Sequence, residues 1–523
     1  MLLLVDSEFL QILRTAFGRK DYSAVIGHPA FCNRKYLSGL LRCPPPQPSA
    51  DIEHAVSSLL ESIEPDLQDY IHRDLPWPTY TSASTDVRTK DFTGSLDIPM
   101  TTPNVPCLLL HGLGHGIVKP EVVSSVFCET QVPTHLVNTP GSGKTRVLFE
   151  GLSQSWGFYF VCNKEQATAF GSQDLPWVLE NMNPSEPSSF TIDLKTCAES
   201  TYEQVHRHHR LTAHRQSLSV LLSRALILLT LLRMAREQYP QKRLDEFRRH
   251  WLYLQLRPAD ILERNVQGED VFQQLSLILQ NACDKYLEKD DYQDREKLPI
   301  VMGQIRRMFG IADFHSRLYV VVDEAQEATK KLKAAFRFEG GQAEPPMMRP
   351  ILCKLAETFG RYGSLIFSGT SLSLIEGLRP MSYNIMKYDP WFRLETDVGS
   401  FDETLAQKEY LLRYLPPHLH DTPSILALIS RASHWITGRY CFTTNLIQIL
   451  LQSSFLSPHH ALDYVITSYV DILPQDSATF IKDEPKLTGI TDMGGEVLSQ
   501  CIHQNTIADM NLGMEYCSLH ENA

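Results

Sequence analysis

The sequence lacks several features that would place it in a specialised class of protein. Its 11 cysteines are scattered and form no Cys-x-x-Cys pair, which argues against a disulfide framework or a zinc ribbon and fits a reducing compartment. Basic residues are not in excess. The chain has 49 Lys and Arg against 61 Asp and Glu, so its net charge of −12 implies no global attraction to nucleic acid or anionic lipid.

Long apolar runs are also missing. Residues 1–5 are apolar, but Asp6 follows at once, so this segment is too short for the core of a signal peptide. The stretch that most resembles a membrane span, residues 218–232, is interrupted by Arg224 and is shorter than the ~20 residues that a bilayer needs. We therefore expect an intracellular protein, cytoplasmic or nuclear, with no membrane segment and with residues 218–232 in a buried helix.

What remains is an ordinary globular composition, with 43% hydrophobic and 21% charged residues over 523 positions. Short apolar runs separated by Gly and Pro predict an α/β core over residues 105–400. Within it, a Leu-, Arg- and Gln-rich segment at about 188–310 predicts a helical insertion. Residues 1–104 are expected to be mixed and mainly helical, with helices near 7–17 and 52–71, and helices are expected again over residues 401–523.

A strand, a glycine-rich turn and a helix are predicted in succession from Thr134. Residues 134–137 read as the strand and residues 145–155 as the helix, and between them stands Asn138-Thr139-Pro140-Gly141-Ser142-Gly143-Lys144-Thr145. This order is the context that a phosphate-binding loop requires. The alternative, a surface turn with this sequence by chance, would need no such flanking elements.

Each residue type in the turn has a physical reason to bind a triphosphate. Gly141 and Gly143 let the backbone N–H groups approach the phosphate oxygens at a helix N-terminus, where the partial charge is positive. Lys144 is predicted to reach the β- and γ-phosphates, and Thr145 to place its hydroxyl on Mg²⁺. The nucleotide is therefore expected to be ATP or GTP.

Asn138 and Arg146 lie at the two ends of this motif. Asn138 stands where the usual pattern has its first Gly, and Asn tolerates left-handed backbone angles better than most residues, so the turn is expected to survive. Arg146, directly after Thr145, is assigned to nucleotide binding together with the loop.

A second motif, Val320-Val321-Val322-Asp323-Glu324, is a buried strand that ends in two carboxylates. Asp323 is predicted to hold Mg²⁺, and Glu324 to act as the general base on the attacking water. On its own, the pattern is equally typical of a strand edge with solvated acids. About 180 residues separate Lys144 from Asp323, so the helical insertion is expected to project from the nucleotide core.

Further residues are candidates for the γ-phosphate. Ser368 and Thr370, at the end of another predicted strand, are placed to sense it, although a plain strand-to-turn transition has a similar sequence. Arg349 and Arg439 are the candidates to balance transition-state charge, with a solvated surface position as the alternative for each.

Several of these segments together resemble the NTPase module of Crinkler-type proteins, a family of fungal effector-like proteins. The resemblance covers roughly residues 105–455 and depends on the order of the segments, which are Leu136 to Thr145, Glu150-Gly151-Leu152, Trp156-Gly157-Phe158-Tyr159-Phe160, Val322-Asp323-Glu324-Ala325-Gln326, Arg349-Pro350-Ile351-Leu352, Ser368-Gly369-Thr370 and Gly438-Arg439-Tyr440-Cys441-Phe442-Thr443.

This resemblance implies a fold and an activity. The fold is a three-layer P-loop NTPase core of the additional-strand class with a catalytic glutamate, and Glu324 is the base of an ATPase. In such effectors a C-terminal domain, often nuclease-like, delivers the activity. Only about 70 residues follow the Arg439 helix, fewer than a catalytic domain usually has.

Three functions are consistent with the sequence. The first is a regulatory or switch ATPase that acts on a protein partner or on its own assembly. The second is a nucleic-acid-stimulated helicase-like ATPase, since Asp323-Glu324-Ala325-Gln326 also resembles the second helicase motif, but no second motor domain is predicted and no other pattern supports a nucleic-acid partner. The third is a module that binds nucleotide without turnover.

Overall fold

A computed structural model describes most of the chain. The described residues are 52–73, 76–128, 132–163, 170–181, 199–262, 270–285, 294–309, 318–331, 336–337, 348–349, 351–370, 392–399, 401 and 404–485. The helix predicted near residues 7–17 lies outside them, whereas the one predicted over 52–71 is present as Ile52–Ile71.

Five parallel strands form the central sheet, so the protein is a mixed α/β protein, as predicted. The order across the sheet is β2, β3, β6, β1, β7. The strands are β1 (Thr134–Val137), β2 (Gly157–Val161), β3 (Tyr319–Asp323), β6 (Ser364–Gly369) and β7 (Arg393–Glu395), and a separate antiparallel pair consists of β4 (Phe336–Arg337) and β5 (Met348–Arg349).

The helices account for most of the remaining described residues. They are α1 (Ile52–Ile71), α2 (Val87–Ser95), α3 (Pro120–Val126), α4 (Lys144–Gln154), α5 (Asp174–Asn181), α6 (Glu199–Gln238), α7 (Arg248–Leu256), α8 (Pro258–Ile261), α9 (Val271–Lys285), α10 (Asp294–Phe309), α11 (Gln326–Lys330), α12 (Ile351–Phe359), α13 (Thr404–Tyr414), α14 (Pro423–Trp435), α15 (Tyr440–Gln452), α16 (Pro458–Val470) and α17 (Ser477–Phe480).

Helices cover both faces of the sheet, which explains why β2 and β3 are buried along their whole length. Successive residues of a strand point to opposite faces. Tyr159 of β2 contacts Phe149 of α4, whereas the next residue, Phe160, stacks on Phe359 of α12 with ring centroids 5.0 Å apart. The fold therefore has three layers, with α4 and α12 on opposite sides of the sheet.

The free edge of β2 is covered by α7. The Trp251 indole N–H donates to the Gly157 carbonyl at 2.7 Å, and the Gln255 amide oxygen accepts from the Tyr159 N–H at 2.8 Å. These side chains satisfy backbone groups that an edge strand would otherwise leave unpaired.

The helical insertion does not project from the core, and this prediction was wrong. Arg224 of α6 is fully buried, lies over the Phe160 ring at 4.7 Å and forms an ion pair with Asp174 at 2.7 Å. Residues 210–238 of this helix have the length and hydropathy of a membrane span, but 83% of the most apolar window is buried inside the protein. Its apolar surface packs against α9, α10 and α12, so α6 is a core helix, as expected for residues 218–232.

The C-terminal helices α13 to α16 enclose a second hydrophobic core, separate from the one around the sheet. Tyr80 and Ile98 belong to this second core, and the Tyr80 hydroxyl donates to the Leu451 carbonyl at 2.7 Å. Ile63 and Leu67 of α1 instead belong to the first core. The described N-terminal residues are thus divided between two packing units.

Candidate functional site

The glycine-rich loop, residues 138–143, connects the carboxyl end of β1 to the N-terminus of α4. Gly141 and Gly143 both have positive φ, +73° and +95°, which only glycine adopts without strain. A side chain at Gly141 would collide with Cys441, since an added Cβ would lie 2.2 Å from its sulfur. The Cys441 N–H also donates to the Gly141 carbonyl at 3.1 Å, so the N-terminus of α15 packs directly on the loop.

Asn138 stabilises the turn through its side chain and not through the left-handed backbone that was expected from the sequence. It is not among the described residues with positive φ, so a left-handed conformation is not what it supplies. Its side-chain oxygen accepts from the Thr139 N–H at 2.7 Å, and its amide nitrogen donates to the Thr396 carbonyl at 2.6 Å. Asn138 therefore fastens the start of the loop to the segment that follows β7.

Lys144 is folded back over the loop. Its ammonium group donates to the carbonyls of Asn138 and Thr139, at 2.8 Å each. Burial lowers the pKa of Lys144, and the charge of Arg439 lowers it further, whereas Asp323 and Glu324 act in the opposite direction. Arg439, at the N-cap position of α15, is thus close enough to Lys144 for its charge to affect the pKa of Lys144.

Asp323 is the centre of the hydrogen bonds at the end of β3. One carboxylate oxygen accepts from the Thr145 hydroxyl at 2.9 Å and from the Tyr159 hydroxyl at 3.1 Å. The other oxygen accepts from the N–H of Glu324 at 3.0 Å. The carboxylate is therefore held from three sides, and Thr145 meets it across 178 positions of sequence.

Glu324 has an unusual backbone and an unusual acidity. Its φ is +52°, a left-handed conformation that is uncommon for a residue with a side chain. Burial, followed by the neighbouring Asp323 charge, raises the pKa of Glu324 to about 7. The Gln326 amide donates a 2.5 Å hydrogen bond to its carboxylate. A carboxyl group with a pKa close to neutrality is suited to proton transfer.

The end of β6 lies between the glycine-rich loop and the acid pair, because β6 pairs with both β1 and β3. Ser368 is completely buried there, and its hydroxyl has no hydrogen-bond partner among the described residues. The hydroxyl of Ser142 in the loop is also buried without a hydrogen-bond partner among the described residues. The Thr370 N–H donates to the Gln326 amide oxygen at 3.3 Å. Ser368 and Ser142 are therefore polar groups available to a ligand.

Arg146 faces away from the loop, although its sequence position suggested nucleotide binding. Its guanidinium donates to the carbonyls of Leu109 at 2.9 Å and His111 at 2.7 Å, and it forms an ion pair with Glu150 at 3.1 Å. His111 in turn contacts the Tyr414 hydroxyl of α13 at 2.9 Å. Arg146 thus links α4 to a turn that touches the C-terminal helices.

Two other candidates occupy different positions. The backbone of Arg349 is in β5, opposite Phe336, and its side chain lies outside the described residues. Pro140 is half-buried in the loop, and the Thr139 carbonyl also accepts from the Ser142 N–H at 3.3 Å. The structure thus brings the loop, the acid pair, Ser368, Thr370 and Arg439 together and leaves Arg349 unassigned.

The donors at this site fit magnesium. Thr145 and Asp323 supply a hydroxyl and a carboxylate oxygen, the hard oxygen ligands that Mg²⁺ takes. No group of three or more His, Cys, Asp or Glu that could hold a metal occurs among the described residues. A cation bound here would need further oxygens, which the phosphates of a nucleotide and water supply.

Sequence reasoning gave no role to two residues of the site. Tyr159 and Gln326 lie in segments that carry the Crinkler-type resemblance, which implies no function for either of them. A Tyr in a strand otherwise made of Phe and Val is a weak signal of a polar contact, because a buried hydroxyl needs a partner.

The chain was also compared with known proteins. Comparison with protein-family models, with curated proteins and with solved structures finds no match to this chain.

Proposed function

We propose that this chain is a Mg²⁺-dependent nucleoside-triphosphatase, with ATP as the expected substrate, that acts as a regulatory switch. The observation that carries the proposal is the 2.9 Å contact between the Thr145 hydroxyl and the Asp323 carboxylate, directly beneath a glycine-rich loop at a helix N-terminus. These two groups are the ones that a loop-bound nucleotide and its Mg²⁺ require.

The strand order supports the additional-strand class implied by the Crinkler-type resemblance. β6 separates the loop strand β1 from the acid strand β3, and all five strands of the central sheet are parallel. Ligands of open parallel sheets bind outside the carboxyl ends of the strands, which is where the loop and the acid pair lie. A helicase would need a second motor domain, whereas residues 404–485 form helices.

In the proposed reaction, the N–H groups of the loop and Lys144 bind the phosphates, and Lys144 leaves its present carbonyl partners to do so. Thr145 and Asp323 would hold Mg²⁺, which would supply positive charge to the β- and γ-phosphates. A water oxygen forms a bond to the γ-phosphorus while the bond to the bridging oxygen of the leaving diphosphate breaks. Glu324 accepts the proton of that water, and Arg439 balances the charge that develops.

The switch component of the proposal depends on α15. The first residues of α15 contact Gly141 and Gly143. A nucleotide that changes the shape of the loop would therefore shift the C-terminal helices. We expect the signal to pass to a protein partner or to a second copy of the chain, which would bind these helices in one of their two positions.

Phosphate release by the purified protein tests the proposal. With Mg²⁺ and ATP, Glu324→Gln should lower turnover by about 10²-fold or more while ATP still binds, and Lys144→Ala should weaken binding itself. Arg439→Ala should lower turnover more than binding. Glu357→Gln changes an exposed acid of α12 that pairs with Lys354 and should leave turnover unchanged.

Each outcome separates the alternatives. Equal rates for the wild type and Glu324→Gln would remove Glu324 as base. Bound triphosphate that stays intact for hours with Mg²⁺ would favour a binding module without turnover. A strong, salt-sensitive stimulation by single-stranded nucleic acid would favour the helicase-like function.

A further inference from the structure

The acid pair is connected to the end of β6 through one side chain, Gln326. Its amide nitrogen donates to a Glu324 carboxylate oxygen at 2.5 Å, and its amide oxygen accepts from the Thr370 N–H at 3.3 Å. Gln326 is 6% exposed, so neither contact is readily exchanged for water. One amide therefore bridges two neighbouring strand ends.

The orientation of this amide follows from its partners. A backbone N–H only donates, so the Gln326 oxygen must face Thr370 and the nitrogen must face Glu324. The bond to Glu324 is thus donated to a carboxylate oxygen. A hydrogen bond of this kind favours the ionised carboxylate, which is the form that accepts a proton from water.

The main chain around Glu324 is held by backbone hydrogen bonds, and its carboxylate is held by Gln326. The residue has φ +52° and lies at the turn between β3 and α11. Its neighbours fix the main chain: the Ala325 N–H donates to the Ser368 carbonyl at 2.9 Å, and the Glu327 N–H donates to the Glu324 carbonyl at 3.0 Å. Gln326 donates a side-chain hydrogen bond to the Glu324 carboxylate.

We propose that Gln326 is a positioning residue that aims the Glu324 carboxylate at the attacking water and ties that aim to the end of β6. The inference depends on the proposed function, because it needs Glu324 to act as the base. A γ-phosphate that contacts Ser368 or Thr370 would then act on the position of the base through the Gln326 amide. Gln326 itself touches neither the phosphate nor the water.

The test uses Gln326→Met, which keeps the length of the side chain and removes both hydrogen bonds. In single-turnover hydrolysis at saturating Mg·ATP, the rate constant should fall about 10-fold to 100-fold, since small misplacements of a reacting group cost this much. The Kd of a fluorescent ATP analogue should change by less than about 3-fold. Gln326→Asn, one methylene shorter, should lower the rate by a similar or smaller factor.

A matched control and a double variant make the result specific. Gln280→Met removes another glutamine hydrogen bond, to Ser276 in α9, and should leave the rate unchanged. In a Glu324→Gln background, Gln326→Met should change the residual rate by less than about 2-fold, because its effect passes through Glu324. Circular dichroism melts of all variants check that each is folded.

The outcomes distinguish the inference from the function on which it depends. Wild-type hydrolysis that is lost in Glu324→Gln but retained in Gln326→Met would overturn the role of Gln326 alone. Equal losses on adding Gln326→Met to the wild type and to Glu324→Gln would overturn it as well. No hydrolysis by the wild type would overturn both.

Discussion

The two hydrophobic cores contribute to the site in different ways. The first core, around the sheet and α6, carries the loop, the acid pair and Ser368 on strand ends that are fixed by parallel pairing. Among the described residues, the helices of the second core, α13 to α16, place Cys441 at the start of α15 and Arg439, the N-cap residue of that helix, beside the loop. The first core therefore provides the chemistry, and the second core covers it.

The two cores are connected beside the loop by hydrogen bonds. These include the hydrogen bond from Cys441 to Gly141 at 3.1 Å and the contact between His111 and Tyr414 at 2.9 Å. Both contacts lead back to α4, since Arg146 of that helix holds the His111 carbonyl. A ligand that reshapes the loop acts at the point where the cores meet, which is the arrangement that a switch requires.

The largest effect is expected from a side chain placed at that contact. Gly141→Ala adds a Cβ that would lie 2.2 Å from the Cys441 sulfur, on a backbone with φ +73°. Both the loop and the docking of α15 should be disturbed, so nucleotide affinity should fall by about 100-fold or more and the melting temperature should drop. Nucleotide titration and thermal melts measure the two effects.

Gly116→Ala is the matched control for this variant. Gly116 has almost the same φ, +74°, but an added Cβ there meets nothing within 4 Å. It should show the cost of backbone strain, about 1 to 2 kcal/mol, without the loss of nucleotide binding. Equal affinities for Gly141→Ala and Gly116→Ala would contradict the idea that the cores meet at the loop.

A smaller effect, confined to the first core, is expected from Tyr159→Phe. The change removes the hydroxyl that donates to Asp323 at 3.1 Å but keeps the ring against Phe149. Because outer partners orient metal ligands, the Mg²⁺ concentration for half-maximal turnover should rise about 10-fold, with nucleotide binding in the absence of Mg²⁺ unchanged.

Tyr70→Phe provides the comparison within the same core. It removes a hydroxyl that donates to the His250 carbonyl at 2.8 Å and touches none of the site residues. It should lower stability by about 1 kcal/mol and leave the Mg²⁺ dependence unchanged. A parallel shift in both variants would mean that Tyr159 acts through packing alone.

The strands and the loop could be predicted because their signals are local. β2, β3 and β6 are short apolar runs bounded by a Gly, an Asp or a Ser, and β1 runs directly into the glycine-rich loop. Gly143, at the step from this loop to α4, is the residue type that a φ of +95° needs. The assignment of Thr145 and Asp323 to one Mg²⁺ ion implied that they lie close together, and their side-chain oxygens are 2.9 Å apart.

Contacts that depend on tertiary packing were not predictable in this way. Arg146 is adjacent to Thr145 in sequence, but a helix turns by 100° per residue, so its side chain points to residues 108–112 instead of the loop. The length of the insertion indicated a projecting element, yet Arg224 is buried because Asp174 and two aromatic rings receive its charge. Nothing local in either segment encodes these partners.

The smallest predicted effect concerns a buried histidine in each core. Burial lowers the pKa of His135 in β1 to about 4, and it also lowers the pKa of His459 in α16 to about 4. A histidine in the unfolded chain binds a proton below about pH 6.5, whereas these two stay neutral in the folded protein until about pH 4. The stability that these two histidines contribute should therefore be complete above about pH 6.5 and fall as the pH decreases from 6.5 to 4.

His135→Leu separates the two cores by this pH dependence. The Nδ1 atom of His135 is buried without a partner among the described residues, so an apolar side chain should also fit there. At pH 5.5 the variant should gain about 1 kcal/mol over the wild type, with a smaller gain at pH 7.5. If thermal melts show two transitions and only one of them moves to higher temperature in the variant, the two cores unfold separately. The other transition should then keep its acid sensitivity, which we assign to His459. An unchanged pH dependence would instead mean that His135 is accessible to protons, and the first core would then be more open around β1 than its burial indicates.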